Sequence, residues 1–486
     1  MIGTIPKTDA KRPPYGIITV LMIGAFIAFL NNTLLNIALP SIMSDLSVNA
    51  ATVQWLTTGF MLVNGVLMPM SAFLIQKYSV RRLFLVAMGI FAFGTIVAGM
   101  AQIFPLLLTG RMLQAGGTAI MMPLLMNVLL VSFPIEKRGT VMGMFGMIMM
   151  AAPAIGPTLS GWIVEHYEWR MLFHFVWPIA LTIFLLGFFL LKDKKEKVNL
   201  KLDLVSLTLS TIGFGGVLFG FSSAGNAGFE SPRVYLPIVI GVISLVTFIR
   251  RQNGQERPML NFGVYRYPMF ALSSAISMVL NMAMFSGMLL LPIYVQTIRG
   301  ISPMDAGLML LPGALVMAFM SPVTGRLFDK FGGRMLSIIG LTIMVVTTFQ
   351  FTKLTTETPY FYLMTLHAVR MFGITMVMMP VSTNGLNQLP RKFYPHGTAM
   401  NNTLNQLSGA IGTALLVAIM SIQTERYTAS MGQDTTSGNG INLLAMLEGI
   451  NDAFFVATCF ALVSLGLSFF IKRARPADEE EKEKAA

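Results

Sequence analysis

The sequence has few charged residues. Only 12% of its 486 residues are Asp, Glu, Lys or Arg, whereas a soluble globular domain carries about 25%. Hydrophobic residues make up 54% of the chain, and its apolar stretches lack the polar face that a helix on a soluble protein needs. These properties exclude a string of soluble domains and predict helices that cross a membrane.

Cysteine is almost absent as well. The single cysteine, Cys459, lies in the last apolar segment, which excludes a disulfide framework and a Cys/His metal site. The sequence has no Gly-x-x-x-x-Gly-Lys phosphate loop and no nucleophile elbow with partner residues. We therefore expect neither an enzyme nor a bound cofactor.

Long apolar segments account for most of the chain. About 20 apolar residues cross the hydrocarbon core as a helix, and fourteen segments meet this length within a few residues. The predicted segments are 15–39, 52–75, 82–102, 105–131, 140–164, 172–191, 203–222, 233–250, 268–291, 305–325, 335–352, 359–381, 398–421 and 452–471. The sequence thus predicts an all-α polytopic membrane protein.

The basic residues orient these segments. Most of the 34 Lys and Arg residues form short clusters in every second gap between segments, and none of the clusters extends into the stripe that nucleic acid would require. By the positive-inside rule, the clusters, the N-terminus and the C-terminus are predicted to be cytoplasmic. We therefore attribute the net charge of +12 to the orientation of the protein in the membrane, and we expect no nucleic-acid partner.

The two halves of the sequence repeat each other in order. Arg111-Met112 recurs as Arg370-Met371, and Gly139-Thr140 recurs as Gly397-Thr398. Such ordered matches indicate a duplicated six-helix unit with two extra helices between the copies. The predicted domains are an N-terminal lobe (1–191), a basic loop with two additional helices (192–251), a C-terminal lobe (252–471) and a charged disordered tail (472–486).

Three motifs carry a family resemblance. They are LLLTGRMLQAGG at 106–117, GPTLSGW at 156–162 and GRLFDKFGGR at 325–334. Together they resemble the major facilitator superfamily, and specifically its fourteen-helix drug/proton antiporter branch of the lincomycin-resistance type. Two positions depart from that pattern: Gln76 stands where the first loop motif usually has Asp, and Asn31 stands where many relatives have an Asp used in coupling.

The resemblance implies a fold and a function. It implies two pseudo-symmetric lobes that export small amphipathic molecules in exchange for protons by alternating access, as a monomer among the lipids of a bacterial-type cytoplasmic membrane. The small residues and the proline at Gly156, Pro157 and Gly161 allow a bent helix to approach its neighbour closely, so we interpret them as a hinge and seal between the lobes, with ordinary small-residue packing as the alternative. A cytoplasmic gate is implied at Gly325, Asp329 and Arg334, with Asp329 paired to Arg334.

Charged residues within the apolar segments are candidates for proton coupling, because a charge in the membrane is costly unless it faces a cavity or a partner. Since Asn31 cannot titrate, the coupling carboxylate must lie elsewhere or the mechanism differs, and we prefer Glu165, which close helix packing around Gly156, Pro157 and Gly161 could shield. Structural alternatives remain for each candidate: locking a lobe, interfacial packing or ordinary solvation. The candidates are Arg111, Glu165, His174, Asp305, His367 and Arg370.

Neutral polar and flexible side chains on the core helices are candidates for the substrate cavity. Residues four apart share a helix face and can line a polar chamber, although hydrogen bonding between helices explains many such residues equally well. Methionine suits a pocket that accepts many shapes, or it simply fills the core. The candidates are Asn31, Asn32, Asn36, Gln114, Met122, Met150, Asn281, Asn401, Asn405 and Gln406.

Other functions remain open at this point. A flippase or exporter of lipids or lipid-linked precursors would use the same two-lobed cavity opened sideways to the bilayer. A nutrient uniporter and a non-transporting sensor are further alternatives. The helix motif at 156–162 favours exchange, and the lack of a sizeable soluble domain argues against a sensor.

Overall fold

The structure is a computed structural model that describes residues 15–48, 50–53, 55–191, 203–256, 258–431 and 438–474. The described chain is helical, and its long helices run in the order the sequence predicts. Residues 192–202 of the predicted basic loop and residues 475–486 of the predicted tail lie outside the described residues.

Fifteen α-helices are formed by the described residues. They are α1 (Tyr15–Asp45), α2 (Ala50–Val53), α3 (Trp55–Lys77), α4 (Val80–Gly99), α5 (Phe104–Ser132), α6 (Arg138–His166), α7 (Met171–Leu190), α8 (Leu204–Ala227), α9 (Pro232–Asn253), α10 (Pro268–Ile293), α11 (Pro303–Phe331), α12 (Gly333–Gln350), α13 (Tyr360–Gln388), α14 (Tyr394–Met431) and α15 (Gly438–Ser468).

Thirteen helices in the described part of the chain are long and apolar enough to cross a membrane. Helix α6 covers the remaining predicted segment, 140–164, but is not one of the thirteen. The fold class is therefore confirmed as an all-α, multi-pass membrane protein, while the number fourteen stays a prediction.

Local sequence signals set several helix starts. The side chain of Ser79 accepts a hydrogen bond from the backbone N–H of Arg82 and caps α4, and Asp203 caps α8 in the same way. Two predicted segments are much shorter than the corresponding helices: α14 extends beyond 398–421 at both ends, and α15 begins well before 452. Apolar content defines only the part of a helix that lipid covers, so polar extensions of a helix escape that criterion.

The helices pack in the same relations in both halves. In the first half α1 packs on α5, α6 and α7, and α4 packs on α5; in the second half α10 packs on α13, α14 and α15, and α12 packs on α13. The halves meet along two seams, one between α6 and α11 and the other between α3 and α14.

The additional helices α8 and α9 form a hairpin beside one of these seams. Helix α8 packs on both α3 and α14, where Leu218 fills the space over Gly65 and Phe219 stacks on Trp55 at 5.8 Å between ring centroids. The hairpin therefore covers the seam between α3 and α14 from outside.

Candidate functional site

Arg111 lies inside the N-terminal half, where α5 faces α1 and α4. Its side chain is 1% exposed. Nη1 donates to Gln114 Oε1 at 2.9 Å, Nη2 donates to Asn32 Oδ1 at 3.1 Å, and the guanidinium carbon lies 4.5 Å from the ring centre of Phe60. Gln114 in turn donates to the hydroxyl of Thr95 on α4 at 2.8 Å. Neutral amides, a hydroxyl and an aromatic face thus hold this charge.

Arg370 occupies the matching place in the C-terminal half, where α13 faces α10 and α12. It is fully buried, and its Nε donates to the hydroxyl of Thr348 at 3.1 Å. Nη2 donates to the carbonyl of Ala283 at 2.7 Å and to the hydroxyl of Ser286 at 3.1 Å. Gly287 leaves the space that Nη1 occupies, because a Cβ there would lie 2.1 Å from that nitrogen.

The two arginines share one arrangement. Each lies on the fourth long helix of its half and is held by the first and third, and no ion pair between described residues involves either arginine. Arg111 Nε and Arg370 Nη1 are buried without a described hydrogen-bond partner. Each half therefore holds a positive charge that polar neutral groups stabilise, and each retains a donor for a further acceptor.

His367 lies one turn before Arg370. It is 3% exposed, its ring lies against Gly313 of α11, and its Nδ1 has no described hydrogen-bond partner. The predicted neighbourhood of His367 and Arg370 is present on one face of α13, and its role in coupling stays a prediction.

The amides of α14 divide into two faces. Asn401 donates to the hydroxyl of Ser382 at 3.0 Å, and Asn405 accepts from Asn281 at 3.0 Å, so these predicted cavity residues are bonded inside their own half. Gln406 lies on a second face of α14, next to Gly65 of α3.

Asn402, which the sequence analysis missed, shares that second face. Its amide nitrogen lies 3.9 Å from the sulfur of Met126 on α5. Asn402 and Gln406 are four residues apart, so the alternation along α14 could have identified them as the pair directed at the other half.

The remaining predicted cavity residues differ in exposure. Asn31 is 2% exposed with an unpartnered Nδ2, and Met122 is 4% exposed in the core of the N-terminal half. Met150 on α6 packs against the core of the C-terminal half, so it lies at the junction of the halves. The side chain of Asn36 lies outside the described residues.

Three of the candidate proton carriers lie on the surface. Glu165, His174 and Asp305 are all exposed. Glu165 and His174 line one open cavity of about 630 Å³ beside the turn between α6 and α7. The premise that packing around Gly161 shields Glu165 is wrong, because no neighbouring atom comes within 4 Å of where a Cβ on Gly161 would lie.

Asp305 performs a local task at the start of α11. Its backbone N–H donates to the hydroxyl of Ser302 at 3.1 Å, and that hydroxyl donates back to Oδ2 at 2.8 Å. This is a helix cap, and it explains an exposed Asp at that place without a role in coupling.

The predicted hinge packs within one half. A Cβ on Gly156 would lie 2.2 Å from the hydroxyl of Thr33 on α1, and Ser160 donates to the carbonyl of Leu34 on α1 at 2.5 Å. The interpretation of this motif as a seal between the halves is therefore wrong for Gly156, and the side chain of Pro157 lies outside the described residues.

The close approach of the two halves occurs earlier along α6, at the end of the bundle where the basic clusters lie, here called the basic end. A Cβ on Gly139 would lie 2.5 Å from the carbonyl oxygen of Gly325, and one on Gly143 would lie 2.5 Å from that of Ser321. At the opposite end of α11, a Cβ on Gly307 would meet nothing within 4 Å. Small residues therefore let α6 and α11 close the basic end.

Asp329 ties these helices together. Its Oδ1 accepts from the backbone N–H of Gly139 at 2.8 Å, and its Oδ2 accepts from the N–H and the hydroxyl of Thr140 at 2.8 and 2.6 Å. The predicted pairing with Arg334 is not among the ion pairs of the described residues; the carboxylate binds the N-terminus of α6, where free N–H groups and the helix dipole favour an anion. We call this contact the Asp329 latch.

A second contact joins α3 to α14 at the basic end. Nε2 of His396 lies 3.1 Å from the side-chain nitrogen of Gln76, and Nδ1 of His396 accepts the backbone N–H of Asn261 at 3.1 Å. His396 is 5% exposed. We call this contact the His396 latch; His396 was missed from sequence because it reads as part of a loop before an apolar segment.

Arg138 reinforces the same end. It donates to the side-chain oxygen of Asn387 on α13 at 3.1 Å, and its guanidinium carbon lies 5.1 Å from the ring centre of Tyr394 on α14. Three contacts between the halves thus hold the basic end closed, and all three are polar.

Ion pairs near the ends of the helices fix other connections. Asp45 accepts from Trp169 Nε1 at 3.1 Å and pairs with Arg170 at 2.8 Å, and these two donors lower the pKa of the Asp45 carboxyl. At the basic end Arg251 of α9 binds the Asp203 carboxylate at 2.9 Å, which lowers the pKa of Asp203 and ties α9 to the start of α8.

Comparisons with known proteins identify the class of this fold. The model of the Major Facilitator Superfamily matches residues 21–413, and the chain belongs to that superfamily. Fold and family together define a multi-pass membrane transporter.

Particular relatives narrow this class. Lincomycin resistance protein LmrB of Bacillus subtilis is 42% identical over 477 residues, which cover 98% of this chain and 99% of that protein. The uncharacterized MFS-type transporter YhcA of the same organism is 45% identical over 98% of this chain and 96% of its own length. The crystal structure of the human organic anion transporter MFSD10 has a TM-score of 0.66 at 14% identity, covers 94% of this chain and all of its own, and supports the fold alone.

Proposed function

We propose that this protein exports amphipathic drug-like molecules of the lincosamide or multidrug type across the cell membrane, in exchange for protons. The observation that carries the proposal is the identity of 42% with lincomycin resistance protein LmrB over almost the full length of both chains. The predicted orientation places the basic end and both termini in the cytoplasm.

The arrangement of the halves supports alternating access. The halves close at the basic end through a glycine seam and three polar contacts, beside a buried apolar cluster to which both halves contribute, with Leu389 and Met400 among its residues from the C-terminal half. Opening there while the opposite end closes would expose a central chamber to one side at a time. Met126, Met150, Asn402 and Gln406 lie at the junction of the halves and are the residues we assign to the chamber wall.

The membrane potential can supply the energy for export that is coupled to protons. Each charge that moves down a membrane potential releases about 2.3 kcal/mol per 100 mV, which is enough to drive export against a gradient. Arg111 and Arg370 are buried charges that can bind a carboxylate or another acceptor in the chamber, because each keeps one N–H donor without a described partner.

The test is transport in energised everted vesicles. Lincomycin is added after a proton gradient is formed, and a fluorescent dye reports proton release while radiolabelled lincomycin reports uptake. We expect both signals to require the protein and to stop together when the gradient is collapsed with an ionophore. Uptake that persists without the gradient would contradict antiport.

Variants then separate the candidates for coupling. Arg111→Lys keeps the charge but loses the planar donor set that binds Asn32 and Gln114, so we expect export to fall at least about tenfold. Asp305→Asn is the matched control, since that carboxylate only caps a helix. A full response in Glu165→Gln would remove Glu165 from the coupling path, as its exposure leads us to expect.

A further inference from the structure

The two latches occupy equivalent places in the repeat but differ in chemistry. Gln76-Lys77-Tyr78 at the end of α3 corresponds to Asp329-Lys330-Phe331 at the end of α11, and His396-Gly397-Thr398 corresponds to Arg138-Gly139-Thr140. The Asp329 latch joins a carboxylate to a helix N-terminus beside an arginine. In the His396 latch an amide replaces the carboxylate and an imidazole replaces the guanidinium.

The hydrogen bonds of His396 define its protonation state. Nδ1 accepts from the backbone N–H of Asn261, so this nitrogen carries no proton. The neutral ring then has its proton on Nε2, which lies 3.1 Å from the amide nitrogen of Gln76 and donates to that side chain once the amide is turned so that its oxygen faces the ring. One uncharged ring thus joins α3, the segment before α10, and α14.

We propose that His396 is a proton-binding switch: the latch closes with neutral His396 and opens when the ring is protonated from the basic side. Protonation removes the lone pair that accepts the Asn261 N–H and places a charge on a ring that is 5% exposed. The proposal rests on the alternating access of the proposed function and is independent of the substrate.

The titratable groups described near the ring are mostly basic or neutral, and Asp203 at the start of α8 is already bound to Arg251. Helix α3 contributes Lys77 and Tyr78 next to Gln76, and Lys77 lies over the rings of Phe73 and Tyr78. The other titratable groups described on the packed elements near this end are Asp203 at the start of α8, Glu256, Tyr265, Arg266 and Tyr267 in the segment before α10, Arg391, Lys392 and Tyr394 around the start of α14, and Arg138 on α6. No ion pair between described residues involves His396.

The sign of the pH effect follows. An unperturbed imidazole titrates near pH 6.5, so a ring exposed by separation of the halves gains a proton as the basic side is acidified. That proton must leave before the latch closes again. Acidification of the basic side should therefore favour separated lobes, by at most about tenfold in the ratio of open to closed protein per pH unit for a single group.

The experiment measures the distance across the latch directly. Spin labels are attached to Arg82→Cys and Arg391→Cys, both exposed positions at the basic end, in a Cys459→Ser background that removes the native thiol. The purified protein in lipid nanodiscs is measured between about pH 8 and pH 5 without substrate, a range that spans the reference pKa. We expect a longer distance to gain population as the pH falls.

Three variants identify the responsible group. His396→Gln should abolish the pH response, and His396→Arg, with a permanent charge, should show the long distance at every pH. Gln76→Glu places a carboxylate beside Nε2 and should remove or reverse the opening on acidification. Size-exclusion profiles confirm that each variant is folded.

A labelled parent protein without a pH response would overturn the proposal, as would an unchanged response in His396→Gln or in Gln76→Glu. Failure of the proposed function is distinguishable, because it would appear as absent lincomycin export in vesicles while the distance measurement still responds to pH. A response that vanishes in His396→Gln and reverses or vanishes in Gln76→Glu supports the switch.

Discussion

Replacing Asp329 by Asn perturbs the closed basic end with a minimal change of shape. The carboxylate accepts two backbone N–H groups and one hydroxyl from the start of α6. In the variant one oxygen becomes an NH₂ group that faces an N–H donor, and the charge at the helix N-terminus is lost. A hydrogen bond to a charged group is worth about 1.5 to 3 kcal/mol, and a charge at a helix N-terminus contributes about 0.3 to 1 kcal/mol.

These contributions give a measurable shift. Because Asp329 is half-buried, we take a total loss of about 2 kcal/mol for the closed state, which corresponds to an increase of about 30-fold in the ratio of open to closed protein. The reporter is Ser321→Cys in a Cys459→Ser background, since Ser321 is 2% exposed and lies in the seam against Gly146.

The assay is alkylation of that thiol by a maleimide added to everted vesicles. When opening is fast relative to labelling, the labelling rate follows the open population, so Asp329→Asn should label about 30-fold faster than the parent. Asp305→Asn, which alters a carboxylate at the far end of the same helix, should label at the parent rate. Equal rates for Asp329→Asn and the parent would refute the assignment of Asp329 to a latch.

Three further predictions concern packing, buried charge and pH. Gly143→Ala should destabilise the closed state by about 1 to 3 kcal/mol and slow export, because the new Cβ would lie 2.5 Å from a backbone oxygen. Gly161→Ala places its Cβ in open space and should change neither the stability nor the export rate. Thermal unfolding measures the stability of both variants, and vesicle export measures their transport. Arg111→Ala leaves buried amides unpaired, so we expect a loss of about 2 kcal/mol in unfolding free energy, with a correspondingly lower melting temperature. Since the folded pKa of Asp203 is depressed by Arg251, this pair stabilises the protein fully above about pH 4 and loses that effect only as the pH falls further, through the folded pKa; Asp203→Asn should lower the melting temperature at pH 7, and this difference should shrink progressively as the pH falls below about 4.

The fold and the buried charges were accessible from the sequence because membrane insertion imposes strong rules. Apolar length located the helices, and a charge inside an apolar run marked Arg111 and Arg370, both of which the structure buries almost completely. The number of spans remains a prediction, because α6 is not among the thirteen helices that meet the criterion.

Contacts between the halves were less accessible. Asp329 was identified from its motif, but its partners lie on α6, whereas the family resemblance had implied a pairing with Arg334. Burial of individual carboxylates is a tertiary property, so nothing in the sequence indicated that Glu165 would be exposed. The repeat did contain an unused signal: aligning Arg138 with His396 would have placed an imidazole at the second latch.

The strength of the closed end sets a condition on any transport cycle built on this fold. To move a two-state protein from about 1:99 to about 99:1, a ligand must bind one state more tightly by about 5.5 kcal/mol. A basic end sealed by a large apolar core would exceed that value, since each buried Leu-sized side chain adds about 1.5 to 3 kcal/mol. Here glycines and three polar contacts, each able to exchange its partner for water, share the seal with buried apolar residues of both halves. Opening therefore exposes apolar surface, and a substrate or a proton has to offset that cost; strengthening closure further, for example by Gln76→Glu at neutral pH, should slow the cycle while raising the melting temperature.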